Sequence, residues 1–536
     1  MSKPSQAPSS SPVQETATTS CHNFEFTTPW RPFKEDFVRI LQAEYQGAGT
    51  ESAPFVVDWL DGDVENPQTW PSVYKWSLTL VVALATLAVA FCSSAYAGAA
   101  IGILKDFDIS TELATLGISL FVLGFALGPL LWAPLSELSG RRPLYIYTYM
   151  ALTAFSAGCA LSPTMAALIV LRFFAGAFGS SPLTNAGGTI ADMFNANQRG
   201  LALSLFAAAP FLGPVIGPIV GGFTGDSVGW RWVMWVMTFF VGTFLVIGIA
   251  LIPETYAPVL LRKRASKLSL ATGKVYRCKY DVATGGVRFS ALLKTNLTRP
   301  WILLFKEPIV LLLSIYMAII YGILYLCFSA FPIVFRVNRG WSMGMSGLAF
   351  IGIAVGMIGA VLYNIIDNRR YIRAAAANSG MAPPEARLPP AIVGAVAVPI
   401  GLFWFAFTNS PSIHWIVCII ATVPFGFGLV LLFLALNNYL IDSYLIYAAS
   451  VLAASSVLRS IFGAVFPLFA TKMYEDLGIH WASAVPAFLA LACLPFPFLF
   501  WKYGAVVRSK CKYAAEAAAL LERMTAARAV AKAEPA

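Results

Sequence analysis

The sequence predicts an all-α membrane protein with twelve spanning helices in two related six-helix bundles, and three observations predict it. Of its 536 residues, 58% are hydrophobic and only 12% are charged, with a mean hydropathy of +0.70. A water-soluble domain of that composition would expose too much apolar surface. Twelve apolar runs each approach the roughly 20 residues that cross a bilayer. They fall into two groups of six, and marker residues recur at matching spacings in the two groups.

Residues 1 to 25 are rich in Ser, Thr, Pro and Gln, a composition expected to stay disordered. From Trp30 the apolar residues Trp30, Phe33, Phe37, Ile40, Leu41 and Tyr45 recur every three or four places. That period predicts a short amphipathic helix on the membrane or against the bundle. An acidic stretch, Asp58 to Asn66, leads into the first apolar run. With about seventy-five mostly polar residues before it, this run reads as a first membrane helix and not a cleavable signal.

The first group of runs lies near 76 to 99, 113 to 135, 143 to 161, 164 to 190, 199 to 223 and 231 to 252. The second lies near 307 to 331, 344 to 366, 391 to 408, 412 to 441, 448 to 471 and 483 to 501. The expected organisation is therefore an N-terminal region (1–75), a first bundle (76–252), a basic central loop (253–306), a second bundle (307–503) and a tail (504–536). The tail is rich in Ala, Glu, Lys and Arg and reads as a loose helix.

The formal charge is +10, and the cations crowd into the central loop, from Arg262 to Lys306. Positive residues collect on the cytoplasmic side of a membrane, so this loop, the Arg141-Arg142 pair and both termini are expected inside. A basic loop between membrane spans fits contact with anionic lipid better than contact with nucleic acid. The eight cysteines are scattered, without the spacing of a metal site or a disulfide framework. With only three histidines and no nucleophile motif, neither an enzyme nor a cofactor or metal is expected.

The halves repeat each other. Gly124, Gly128, Arg141 and Arg142 have the same spacings as Gly352, Gly356, Arg369 and Arg370. Asp192 precedes Gly229-Trp-Arg-Trp232 at nearly the distance at which Asp442 precedes Gly478-Ile-His-Trp481. Duplicated halves are how many secondary transporters set a substrate site between two rocking bundles. The echo of the turn Glu137-Leu-Ser-Gly140-Arg141-Arg142 is incomplete, because the second turn reads Ile366-Asp-Asn-Arg369. An ionic latch is therefore expected in the first half only.

Several stretches resemble one family: Gly128-Pro-Leu-Leu-Trp-Ala-Pro-Leu-Ser-Glu-Leu-Ser-Gly-Arg-Arg-Pro143, Leu171-Arg-Phe-Phe-Ala-Gly176, Gly213-Pro-Val-Ile-Gly-Pro-Ile-Val-Gly-Gly222 and Pro253-Glu-Thr-Tyr-Ala-Pro258. The resemblance is to the major facilitator superfamily, and within it to the fungal twelve-helix drug:proton antiporters. It covers nearly the whole chain from residue 55. It implies the major facilitator fold and proton-driven export of a small organic compound: a drug, toxin, secondary metabolite or polyamine. Substrate and protons would then be the partners, in a chain acting as a monomer in the cell membrane, with a vacuolar membrane as the other location.

The resemblance also implies roles. Gly213, Pro214, Gly217, Pro218, Gly221 and Gly222 match the motif that marks antiporters, although small residues at this spacing equally suit ordinary close packing. Arg172, and with less support Arg459, would serve proton coupling; the alternative for Arg172 is an anchor to backbone carbonyls, since a guanidinium inside a span must face protein or water. Glu137, Gly140, Arg141, Arg142 and Asp192 would form a latch holding the outward-facing state, or the carboxylates simply cap helix ends. Asn185, Tyr316, Tyr321, Tyr325, Asn437 and Asn438 are candidates for the substrate cavity, with packing as the alternative for each tyrosine. Nutrient uptake is the rival function. Against it, the segment after span six reads Pro-Glu-Thr-Tyr and lacks the sugar-carrier Pro-Glu-Thr-Lys-Gly pattern.

Overall fold

The structure is a computed structural model that describes residues 33–206, 208–284, 289–377 and 382–519. Eight of its helical stretches are long and apolar enough to cross a membrane. The last, Trp415–Lys510, holds three spans, because the chain reverses at Leu445 (φ 26) and at Gly478 (φ 71, ψ 170). Arg141–Ala160 and Ala209–Val228 complete twelve.

Spans one to six are Ser72–Phe107, Thr111–Ser139, Arg141–Ala160, Met165–Met193, Ala209–Val228 and Trp230–Leu251. Spans seven to ten are Pro308–Val337, Met343–Ala377, Pro389–Thr408 and Trp415–Tyr444; eleven and twelve cover 448–477 and 479–510. Span five starts later than its apolar run, and a separate helix, Ala196–Phe206, precedes it. Pro210 lies in the first turn of span five, where a missing N–H costs nothing.

The marker residues of the repeat do the same work in both halves. A side chain at Gly124 or Gly128 would run into span four, at Ala177 and Ser180; one at Gly352 or Gly356 would run into span ten, at Ile419 and Val423. Gly229 and Gly478 each turn the chain at positive φ, between spans five and six and between eleven and twelve. The arginine pairs do not correspond. Gly140, at φ 100, ends span two, whereas Asn368 occupies the equivalent place and span eight runs on to Ala377.

The central segment is folded. Strand β1 (Phe55–Val57) pairs in parallel with β2 (Tyr276–Cys278) beside the helix Ala257–Thr272. The expected amphipathic helix is short, Phe37–Gln42, and rests on this module: Ile40 packs with Val57, Leu261 and Leu268. Trp30 lies outside the described residues. The acidic stretch before span one neutralises part of the loop. Asp63 and Glu65 bind Arg264 at 2.5 and 2.8 Å, and Asp58 binds Lys279 at 2.6 Å. Burial opposes the Arg264 charge, but the hydrogen bonds and charges of Asp63 and Glu65 outweigh it and hold the guanidinium above its usual pKa.

The start of the tail is docked. Tyr513 donates its N–H to Glu307 (3.0 Å), Tyr447 donates to Glu516 (2.9 Å), and Ala514 and Ala517 are buried. The rest of the tail lies outside the described residues.

Candidate functional site

The two halves meet in a layer of aromatic side chains. Ser93 of span one and Tyr325 of span seven share a hydrogen bond of 2.8 Å across the boundary, and Tyr321 donates to the Tyr325 hydroxyl at 3.3 Å. The Arg459 guanidinium of span eleven lies 5.0 Å from the Tyr321 ring and 5.6 Å from that of Phe433 in span ten. Phe433 in turn packs on Phe211 of span five, with centroids 5.0 Å apart. Rings with few polar tips and one fixed cation suit an amphipathic organic molecule held by stacking and cation–π contact.

Arg172 stands behind this layer, 2% exposed. Its guanidinium donates to Gly117 O (3.0 Å), Cys92 O (2.9 Å) and Ser93 O (3.4 Å). It stacks between Tyr96 and Phe121, 4.9 and 4.1 Å from their centroids. Span four thus grips spans one and two through their backbones, at the residue whose hydroxyl reaches the other half.

At the loop-bearing end of the first half, Arg141 Nε meets Asp192 Oδ2 at 3.2 Å and Arg141 Nη1 meets Ser136 Oγ at 2.5 Å. Glu137 is half-buried and acts on Arg141 through its charge alone, with no ion pair among the described residues, so it does not bond as the expected third member. Glu254, from the Pro-Glu-Thr-Tyr segment after span six, takes that place. Its carboxylate accepts the N–H groups of Arg141 (3.0 Å), Arg142 (3.3 Å), Thr255 (3.1 Å) and Tyr256 (2.9 Å). Thr255 donates to Asp192 at 3.2 Å. A carboxylate favours the N-terminus of span three, where unpaired N–H groups gather. Gly140 permits the contact: a Cβ there would occupy the space of the Glu254 carboxylate. Gly188 likewise leaves room for the Arg141 guanidinium. The Tyr256 ring lies 4.8 Å from that guanidinium, and burial pushes its phenol up to about 12, so it stays neutral. Arg142 turns outward to Ile249 O (3.0 Å).

The second half holds a counterpart that the sequence did not reveal, so the latch geometry is not confined to the first half. Asp442, the repeat partner of Asp192, binds Arg387 at 2.9 Å, and Tyr371 stacks on that guanidinium at 3.4 Å. Arg387 precedes span nine as Arg141 opens span three. Glu385 beside it binds Arg508 of span twelve at 2.9 Å. Arg369, the arginine that spacing matches to Arg141, makes no ion pair among the described residues, and Arg370, matched to Arg142, pairs with Asp367 on its own helix.

The glycines of span five divide between two partners. Side chains at Gly213, Gly217 and Gly221 would strike span one, at Leu87 O, Phe91 O and Ala95; one at Gly222 would strike Met343 O and Gly344 of span eight, in the other half. There Pro218 O faces Gly347, and Asp226 accepts the Gly344 N–H at 2.8 Å. Pro214 and Pro218 sit within the helix. Spans five and eight thus close the end opposite the loop.

Two other cavity candidates each sit within one half. Tyr316 is buried against Phe496 of span twelve, inside the second half. Asn185 donates to Ser181 (3.2 Å) and lines a cavity of about 20 Å³ with Arg141 and Tyr145, inside the first half. Asn437 and Asn438 are half-buried near Asp442. A buried carboxylate also went unread: Glu307, 1% exposed, accepts the Tyr444 hydroxyl at 2.9 Å and the tail N–H of Tyr513. Its only sequence signal is a glutamate immediately before the proline that starts span seven.

The Major Facilitator Superfamily model matches residues 82–467. The chain is 64% identical over 486 residues, 91% of its length and 80% of the relative's, to the major facilitator superfamily multidrug transporter mdrA of Aspergillus fumigatus. It is 62% identical to the MFS-type efflux pump MFS2 of Trichophyton rubrum, covering 90% of this chain and 82% of that one. It is 56% identical to the major facilitator-type transporter sorT of Penicillium rubens, covering 90% and 92%. Among solved structures, a proton:xylose symporter, XylE, shares the fold with a TM-score of 0.58 at 16% identity, over 81% of this chain and 96% of that one. The chain is a multi-pass membrane protein that belongs to the major facilitator superfamily.

Proposed function

We propose that this protein exports a small amphipathic organic compound by proton antiport, its two halves rocking about the aromatic boundary to open it to either side in turn. The boundary itself carries the reading: Tyr321, Tyr325, Phe433 and Phe211 offer stacking surface, and Arg459 offers one fixed charge. The direction is supported by relatives named as a multidrug transporter and an efflux pump. On this reading the loop-bearing end and both termini lie in the cytoplasm of a cell-membrane transporter acting as a monomer in contact with anionic lipid; the basic residues of the loop support the orientation and the lipid contact. Arg172 serves coupling as a fixed charge, since a guanidinium keeps its proton. It does so by holding the Ser93 backbone while the Ser93 hydroxyl engages Tyr325.

The experiment is transport of an amphipathic fluorescent dye into sealed inside-out vesicles under an imposed pH gradient, acid inside. Dye should accumulate and leave when a protonophore collapses the gradient; accumulation that persists would sink proton coupling, and movement only in the opposite direction would make the protein an uptake carrier.

The ionic cluster holds the loop-bearing end of the first half to the segment after span six. Asp192→Asn and Glu254→Gln keep the shapes and remove the charges. Because the segment after span six leads to the other half, losing about 1.5–3 kcal/mol of charge-assisted bonding there should shift, by about tenfold or more, a conformational equilibrium in which that segment moves. Transport should fall accordingly while the folded yield holds. Wild-type transport in both variants would defeat the latch.

A further inference from the structure

A cavity of about 400 Å³ lies outside the transport path, between the N-terminal segment, the helix Ala257–Thr272 and the first turns of span three. Its rim carries Lys34, Lys263 and Lys267, none of which makes an ion pair among the described residues. The acids around it are engaged elsewhere: Glu35 with Arg39 and the Val64 N–H, Glu65 with Arg264, Glu254 with four backbone N–H groups. Lys263 and Lys267 stand four residues apart on one exposed helix face, where like charges repel unless an anion sits between them. One wall is apolar and continues outward. Ile146 and Tyr147 of span three line the cavity, Tyr147 is 64% exposed, and Met150 one turn further on is 52% exposed.

We propose that this cavity binds the headgroup of one anionic glycerophospholipid of the cytoplasmic leaflet, with its acyl chains along span three. The proposal rests on the reading of the loop-bearing end as cytoplasmic. The volume falls in the range of small-molecule sites. Three lysines answer the phosphodiester anion and the hydroxyl oxygens of a polyol headgroup, and the exposed flank of span three answers the chains. Because Arg142 and Glu254 share this wall with the ionic cluster, a bound lipid would tie the N-terminal segment to the latch and favour its closed form.

The test uses the full chain purified in detergent, with phosphatidylinositol or phosphatidylcholine added, read by native mass spectrometry of retained lipid and by thermal unfolding. The wild type should retain one phosphatidylinositol and unfold at a higher temperature with it than with phosphatidylcholine. The triple variant Lys34→Gln, Lys263→Gln, Lys267→Gln should weaken retention by about tenfold or more. The triple variant Lys294→Gln, Lys306→Gln, Lys502→Gln, equal in charge change, should not. Equal loss in both would reduce the effect to general surface charge and overturn the site. Inorganic phosphate giving the same stabilisation would make it a free-anion site instead. Retention that appears only after deletion of residues 1–32 would assign the cavity to that segment. Dye transport measured in parallel keeps the two readings apart: lost lipid selectivity with intact export removes the lipid site alone, and lost export with intact selectivity removes the export reading alone.

Discussion

Arg172→Lys is expected to leave a folded protein that moves dye downhill but no longer responds to a pH gradient, and Arg172→Ala is expected not to accumulate at all. The guanidinium makes three hydrogen bonds to carbonyls on two different spans and stacks between two rings. Each lost charge-assisted bond costs about 1.5–3 kcal/mol, so alanine, which leaves all three carbonyls short of a donor in a buried site, removes much of a typical domain's stability of about 5–15 kcal/mol. Lysine keeps a charge but not the planar fork. It can satisfy part of the set, at a lower unfolding temperature, and it releases the Ser93 carbonyl, whose residue reaches Tyr325 across the boundary. A merely structural role would lower stability and transport together and keep the gradient response. Gradient-driven accumulation by Arg172→Lys, scaled only to the amount of folded protein, would therefore remove Arg172 from coupling. An alanine variant with wild-type yield would contradict the anchoring itself.

The spans were legible because burial in lipid leaves an unmistakable composition, and the repeat was legible wherever a glycine spacing reflects helix contact. Gly124 and Gly128 against span four, and Gly352 and Gly356 against span ten, are such cases. The same arithmetic misled at the arginines. Spacing along the chain cannot register that a helix ends at Gly140 and runs on through Asn368, so Arg387 was overlooked as the partner of Asp442. Glu254 was missed for a related reason. Its bonds go to backbone N–H groups of span three, which have no side-chain signature, whereas Glu137 stood close in sequence to Arg141 and drew the assignment. The central loop looked like free charge because its acids, Asp58, Asp63 and Glu65, come from the far side of the first bundle in the chain. At the boundary, Tyr321 and Tyr325 were read as candidates, but their serine and arginine partners come from spans one and eleven, and only the packing of the halves brings them together.

Valine at Gly222 and valine at Gly217 are expected to fail in opposite ways, although the two glycines belong to one motif. At Gly217 a Cβ would stand 2.9 Å from Phe91 O and 2.7 Å from Ala95 N, both backbone atoms of span one in the same half. Neither can withdraw without moving the helix. Spans one and five stay packed whichever way the halves rock, so the clash persists in every state, and overpacking of this kind costs about 1–3 kcal/mol or more. Gly217→Val should lower the folded yield and the unfolding temperature. At Gly222 the atoms in the way are Met343 O at 2.7 Å and Gly344 Cα at 2.9 Å, on span eight of the other half. Separating the halves at that end relieves the clash completely. Gly222→Val should therefore fold with near wild-type stability and be trapped with the end opposite the loop open, because only the closed state is penalised. A bias of about 3 kcal/mol shifts that equilibrium by about a hundredfold, enough to stop turnover. Spin labels on the outer ends of spans five and eight should report a longer separation in Gly222→Val and an unchanged one in whatever Gly217→Val survives. If Gly222→Val transports normally, or if its label distance matches the wild type, spans five and eight do not form the gate.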